Sequence, residues 1–367
     1  MTRSGPARTA PDPLAGRLPV TFITGFLGSG KTTLIRHLLS APGMENIAVI
    51  INEFGDVGLD HELVQASSEQ ITLLANGCLC CTVRTDLQES LRELFIKRRA
   101  GEIMQFDRVI VETTGLADPV AAMQAILSDS MLEAQYCLNG VATVIDAVNG
   151  SHNLDSFDEA LKQVAVADRL ILTKTDIAGN DAVHMLQSRL ATLNPYAPCT
   201  VAINGDIDPA VVLDVGLRHA HPEAAALLRW LPDTNNDSQD GPTEGIPLNQ
   251  ALRGSSQAPH AGIRACTLHF DHPIEWATLS ATLQFLLTLR GADVLRVKGL
   301  VDVVGEAGPI VVQGSQHVFH PPVTLDAWPG ATRRSRLVFI TRDLTRETLA
   351  ALFAAVDMLD PPRASRP

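Results

Sequence analysis

The sequence predicts an α/β domain built on a mainly parallel sheet, followed by a smaller α+β domain. Three observations point there. Apolar runs of strand length alternate with helical patterns from residue 20 to about 229, as in a sheet covered on both faces. Residues 232–262 interrupt that pattern with Asp, Asn, Ser, Gln, Gly and Pro, a composition that reads as a flexible linker. Beyond it, strands recur with short turns between them, which favours antiparallel pairing.

The elements follow in order. Residues 1–18 are rich in Pro, Ala and Arg and read as a disordered tail without the apolar run of a secretory signal. Apolar runs at 20–24, 47–52, 71–75, 108–113, 141–146, 169–174 and 200–204 read as buried strands. Between them, helical patterns cover 32–40, 86–99, 119–128, 155–167 and 181–193. These elements form a nucleotide domain over 19–231, with 232–262 as linker. The second domain, 263–358, begins with a strand at 263–271 and a helix at 274–290 stopped by Gly291. Strands at 294–304, 310–319 and 336–341 follow, then a helix at 345–358 and a short tail, 359–367, that opens near Pro361-Pro362. No internal repeat is visible.

The 367 residues carry a formal charge of −12, so a broad nucleic-acid footprint is excluded as the main activity. No run approaches the ~20 apolar residues of a membrane span, and a cytoplasmic enzyme is expected. The six cysteines are not spaced as a disulfide framework. Cys137, Cys199 and Cys266 sit in apolar surroundings and read as small buried hydrophobes.

The nucleotide motifs are strong. Gly25-Phe26-Leu27-Gly28-Ser29-Gly30-Lys31-Thr32-Thr33 follows a strand and opens a helix. Its glycines let backbone N–H groups face phosphates, and the helix adds its positive end. This makes the first domain a P-loop NTPase. Lys31 would bridge the β- and γ-phosphates, and Thr32 would ligate Mg²⁺. Glu112 ends an apolar run, with Gly115 three residues on. Glu112 can hold Mg²⁺ through water or orient the attacking water, and the Gly115 N–H can bond the γ-phosphate. Thr173-Lys174-Thr175-Asp176 closes a later strand. The Asp176 carboxylate can accept both N1–H and N2–H₂ of guanine, and the Lys174 stem can pack on the base. Thr173 stands where many GTPases have asparagine, and a weaker tie to the P-loop is expected.

Between the phosphate elements lies Cys78-Leu79-Cys80-Cys81. Three thiolates from one short loop suit Zn²⁺ or another borderline or soft ion such as Co²⁺, with a fourth ligand from elsewhere. Buried small side chains or a redox pair are the other readings, although a redox pair expects Cys-x-x-Cys near a helix start. Glu53 and Asp56 lie in the stretch after the second strand, where GTPases place a switch. Either acid could complete the metal shell, help hold Mg²⁺, or be merely solvated. The i,i+3 histidine pairs His269/His272 and His317/His320, and the pair His219/His221, read as structural or surface groups.

Taken together, these motifs resemble the CobW-type GTPases, P-loop proteins linked to metal trafficking and cobalamin metabolism. The likeness includes Asn52-Glu53-Phe54-Gly55, Gly77-Cys78-Leu79-Cys80-Cys81 and Glu112-Thr113-Thr114-Gly115-Leu116-Ala117-Asp118-Pro119. It continues through Leu295-Arg296-Val297-Lys298-Gly299, Val312-Gln313-Gly314 and Arg334-Ser335-Arg336-Leu337-Val338-Phe339. The resemblance implies slow GTP hydrolysis, metal binding at the three cysteines, and delivery of metal to a client metalloprotein. Metal and client are not specified, and self-association into a homo-oligomer stays open. The rivals are a GTPase that assists cobalamin loading or synthesis, and a metal-responsive regulator in which turnover is incidental.

Overall fold

The computed structural model describes residues 16–52, 71–73, 79–83, 87–214, 262–328 and 333–359. Glu53, Asp56, Cys78, His219, His221, most of the N-terminal tail and nearly all of the linker fall outside these residues.

The first unit is an eight-stranded sheet of order β3-β4-β2-β5-β1-β6-β7-β8. Its strands are β1 (Leu18–Thr24), β2 (Ile47–Asn52), β3 (Ile71–Leu73), β4 (Leu79–Val83), β5 (Arg108–Glu112), β6 (Tyr136–Asp146), β7 (Arg169–Thr173) and β8 (Cys199–Ala202). All neighbours pair in parallel except β3 with β4. The helices are α1 (Lys31–Ser40), α2 (Leu87–Ala100), α3 (Pro119–Leu127), α4 (Ser130–Gln135), α5 (Gly150–Ser156), α6 (Asp158–Val166), α7 (Asn180–Leu193) and α8 (Pro209–Leu213).

The apolar runs are continuous because both faces are covered. Val20, Phe22, Ala48, Ile50, Val109 and Val111 pack into one core with α2 and α3. Their neighbours Ile23, Ile47, Val49 and Ile110 pack into a second core under α1. Alternate residues of each strand therefore serve opposite faces. Chain order reverses at β1, which lies between β5 and β6, and such a crevice is where open α/β sheets bind ligands.

Several elements depart from the sequence expectation. The helix expected at 155–167 is two helices broken at Phe157, whose φ of −134° and ψ of 121° are extended. β6 begins five residues before the expected 141, because its early residues Tyr136–Gly140 are also buried. Cys80 and Cys81 lie in strand β4, whereas a loop was expected. Cys199 is exposed, because it opens the edge strand β8.

The second unit is an antiparallel sheet of order β12-β11-β10-β14-β9, with β13 pairing β11. The strands are β9 (Ile263–Phe270), β10 (Val294–Val301), β11 (Ile310–Ser315), β12 (Val318–Phe319), β13 (Val323–Thr324) and β14 (Ser335–Arg342). Helices α9 (Trp276–Arg290) and α10 (Arg346–Leu359) cover one face. The strand expected at 310–319 is a tight hairpin turned at Gln316, whose φ is +50°.

Period-two alternation explains the two faces. Leu337 and Phe339 join the core under α9 and α10, whereas Val338 and Ile340 pack toward the first unit. On β10, Arg296 and Lys298 alternate with Val297 and lie in that inter-unit layer. There the buried Asp168 carboxylate receives both cations, with Lys298 Nζ at 2.6 Å and Arg296 at close range. Its other oxygen accepts the Val141 N–H at 2.9 Å. Burial works against the Asp168 charge, but the two cations outweigh it and hold the carboxyl down to about 2. Burial brings Lys298 down to about 8, because one carboxylate shared by two cations offsets only part of the desolvation. His320 is half-buried beside them and brought down to about 3, first by desolvation and then by the Arg296 charge. It is neutral at ordinary pH and bonds Gln313 at 2.7 Å.

Candidate nucleotide site

The turn after β1 is shaped by glycine where it meets β6. Gly25 has a φ of +143°, and a Cβ there would lie 2.2 Å from the Val144 carbonyl oxygen. No other residue fits without moving a central strand. Gly30 adopts φ +97° directly before α1. Loop and helix start thus present the backbone N–H groups expected of a phosphate cradle.

Lys31 is buried, and its ammonium donates to the carbonyls of Gly25 at 2.9 Å and Phe26 at 3.2 Å. Burial lowers its pKa and the Glu112 charge raises it, the first effect being larger. A phosphate anion in the loop would supply the missing counter-charge. Thr32 donates its hydroxyl to Glu112 Oε1 at 2.8 Å. The register explains the meeting: Glu112 is paired with Ile23, one residue before the end of β1, and Thr32 opens the helix that follows. Hydroxyl and carboxylate together are hard oxygen donors of the kind Mg²⁺ takes beside phosphates. The pair fits that ion, with Thr32 and Glu112 as the residues that would hold it.

Gly115 lies against the P-loop. A Cβ at this position would be 2.6 Å from the Leu27 backbone nitrogen, so only glycine lets the turn approach so closely. The Thr113 N–H donates to the Ile23 carbonyl at 3.1 Å and its hydroxyl to Thr24 at 2.8 Å. The turn after β5 is therefore tied to the strand that carries the P-loop.

At the far side, Thr173 Oγ1 donates to the Ser29 carbonyl at 2.7 Å. The hydroxyl keeps the tie to the P-loop that the absent asparagine had put in doubt. Lys174 adopts a left-handed φ of +59°, uncommon for a side-chain-bearing residue. Its ammonium reaches back to the Gly28 carbonyl at 2.8 Å and to Asp146 Oδ2 at 2.7 Å. Asp176 is exposed, with no hydrogen-bond or ion-pair partner among the described residues, and its carboxylate is open to a ligand.

Two contributors were missed in the sequence. Asp146 ends β6 and anchors Lys174. Burial pushes its pKa up, but bonds from Lys174, Asn149 and the Val148 N–H outweigh this and hold it below the usual range. A carboxylate closing the run Val144-Ile145-Asp146 was the available signal. Gln163 on α6 is almost fully buried and donates to the turn carrying Gly115. A lone glutamine inside a helical pattern offers no such signal.

Of the thiol set, Cys80 and Cys81 lie on β4 opposite Val49 and Ile50 of β2. The next residue, Thr82, pairs with Ile51, which pairs with Glu112. The cysteine strand is thus two strand spacings from the Glu112 strand, about 10 Å. Among the described residues no cluster of three or more His, Cys, Asp or Glu side chains forms a metal site. No helix among them is long and apolar enough to cross a membrane.

Comparison with known proteins agrees with this geometry. Residues 19–201 match the CobW/HypB/UreG nucleotide-binding domain, and residues 263–357 match the cobalamin synthesis protein cobW C-terminal domain. The zinc chaperone YjiA of Escherichia coli K12 is 33% identical over 342 residues, covering 92% of this chain and 98% of the relative. The zinc-regulated GTPase metalloprotein activator 1 of Schizosaccharomyces pombe is 35% identical over 229 residues, covering 60% of this chain and 54% of the relative. The crystal structure of Zn(II)-bound YjiA GTPase superposes with a TM-score of 0.68, at 33% identity and 93% and 99% coverage. A Zn(II)-bound triple mutant of that protein, with one glutamate and two cysteines changed to alanine, superposes equally well.

Proposed function

The chain belongs to the CobW/HypB/UreG family of nucleotide-binding proteins, and from that premise we propose that it loads a client metalloprotein with zinc under the control of GTP hydrolysis. It is a P-loop GTPase of metallochaperone type. The single observation that carries the nucleotide part is the Thr32–Glu112 hydrogen bond of 2.8 Å beside the Lys31 cradle. It sets a metal-binding hydroxyl and a carboxylate at the ends of adjacent elements, where a triphosphate meets the loop.

We assign residues 19–231 to the GTPase domain, 232–262 to the linker and 263–358 to the C-terminal domain. The N–H groups of Gly28, Ser29, Gly30, Lys31, Thr32 and Thr33 receive the phosphates, with Gly25 allowing the turn. Lys31 leaves its carbonyl partners for the β- and γ-oxygens. Thr32 and Glu112 would hold Mg²⁺, which would supply charge neutralisation at the phosphates, and their mutual bond favours this role for Glu112 over direct water activation. The Gly115 N–H senses the γ-phosphate and loses its partner on hydrolysis. Thr173 keeps the base loop on the P-loop, Lys174 flanks the purine, and Asp176 selects guanine.

For the metal, Cys78, Cys80 and Cys81 bind as thiolates with Glu53 as a further ligand. Zinc is favoured by the names of the relatives and by the ligand chemistry. The glutamate and two cysteines altered in the YjiA mutant are the same residue types, which supports this choice. Competition binding and zinc titration test the reading together. GTP should outcompete ATP, Asp176→Asn should erode that preference, and serine at all three cysteines should abolish tight zinc uptake. Equal ATP and GTP affinity would remove the guanine assignment, and unchanged zinc stoichiometry in the triple variant would remove the metal site.

A further inference from the structure

Helix α6 touches both the turn that senses the γ-phosphate and the C-terminal sheet. We propose that Gln163 is a positioning residue for GTP turnover, and that through α6 it makes the C-terminal domain a regulator of that turn. The inference rests on the GTPase reading above and extends it to a residue and a domain that reading leaves idle.

A glutamine amide has two N–H donors, and Gln163 spends both on the turn. Nε2 donates to the Gly115 carbonyl at 3.2 Å and to the Ala117 carbonyl at 3.2 Å. The side chain is 1% exposed, so water does not replace these bonds when they break. Lys162 adds an ion pair with Asp118 at 3.5 Å, and Asp118 itself caps α3 by accepting the Val120 N–H at 2.9 Å. The turn from Gly115 to Asp118 therefore hangs from two consecutive residues of α6. Gly115 already presses on the Leu27 backbone, so a small displacement of α6 changes the gap between sensor and P-loop.

The other surface of α6 belongs to the second domain. Ala165 is fully buried against Leu295 and Ile340 of the C-terminal sheet. Asp158, at the start of the helix, accepts from Arg342 Nη1 at 3.0 Å. Asp168, two residues beyond its end, holds Lys298 and Arg296. Within the GTPase domain, Asn194 Nδ2 donates to the carbonyls of Val164, Ala165 and Ala167, and Thr143 Oγ1 donates to the Gln163 carbonyl. A helix of nine residues spans only about 13 Å and is stiff over that distance. Anything that shifts the C-terminal sheet, including a client docked on it, moves the Gln163 amide.

The test uses the full chain. Gln163→Met keeps the length and removes both donors. It should lower kcat for GTP about tenfold while GDP affinity changes less than about twofold, because GDP has no γ-phosphate for the turn to sense. A merely structural role would weaken GDP and GTP alike. Arg342→Asp, at a half-exposed pair, should slow turnover about threefold, and Asp158→Arg in the same chain should restore it. In the Gln163→Met background, Arg342→Asp should have no further effect. A wild-type kcat for GTP in Gln163→Met, or a loss of GDP affinity as large as the loss of kcat, would overturn the proposal, as would an undiminished Arg342→Asp effect in that background. Failure of the unaltered protein to hydrolyse GTP would instead strike the GTPase reading beneath it.

Discussion

Asp168 pairs with two buried cations, so neutralising it should harm the protein more than removing one of them. Asp168→Asn removes the carboxylate charge that the buried Arg296 and Lys298 share, a loss that costs about 3–5 kcal/mol. Part of that cost can be worked from the pKa. The carboxyl moves from an ordinary 3.8 to about 2 in the fold, which corresponds to roughly 2 kcal/mol of stability. Because the folded value is depressed, this share is fully present above pH 3.8 and is lost as pH falls through about 2. Lys298→Met removes one of the two cations, leaves Asp168 with Arg296 and the Val141 N–H, and should change stability by less than about 1 kcal/mol. Hydrogen exchange at the β10 amides, between pH 5 and 7, reports the local loss without assuming that a two-domain chain unfolds in one step. Asp168→Asn should accelerate exchange there far more than Lys298→Met. The reverse order, or equal effects, would refute the charge accounting.

Two further substitutions probe the nucleotide site. Thr173→Val removes the hydroxyl that reaches the Ser29 carbonyl and should cost about 1 kcal/mol, roughly a fivefold loss of nucleotide affinity by fluorescence titration. Gly115→Ala puts a methyl 2.6 Å from the Leu27 nitrogen, so the turn must retreat, at a cost of about 1–3 kcal/mol. Single-turnover hydrolysis should fall at least about tenfold with GDP binding little changed.

Much of the first domain was legible because its strands are buried on both faces and read as unbroken apolar runs. The P-loop carried its own context of strand, glycines and helix. The Thr173 tie was harder, since the sequence shows a missing asparagine and not the hydroxyl that replaces it. Strand β4 escaped because three cysteines and a glycine suggest a ligand loop, whereas pairing with Val49, Ile50 and Ile51 of β2 holds Cys80 and Cys81 extended. The split at Phe157 follows from its packing on Phe26, with ring centroids 4.6 Å apart, a long-range contact that local periodicity does not carry. Arg296 and Lys298 lie in a stretch that carries the family resemblance, which does not say what they pair with. Their partner Asp168 is 128 residues from Arg296 in sequence, and only the fold brings the three together.

Nucleotide-gated delivery requires nucleotide and metal to sense each other. The cysteine strand and the Glu112 strand flank β2, about 10 Å apart, so a change at the γ-phosphate has a short path to the thiols. The direct measurement closes the cycle: zinc affinity with a GTP analogue and with GDP, and affinity for the GTP analogue and for GDP with and without zinc, on the same protein. We predict that the analogue tightens zinc relative to GDP by about 5–150-fold, and that zinc shifts the preference for analogue over GDP by the same factor, as linkage requires. Ratios of one in both arms would leave a GTPase and a metal site without communication and would contradict nucleotide-gated delivery.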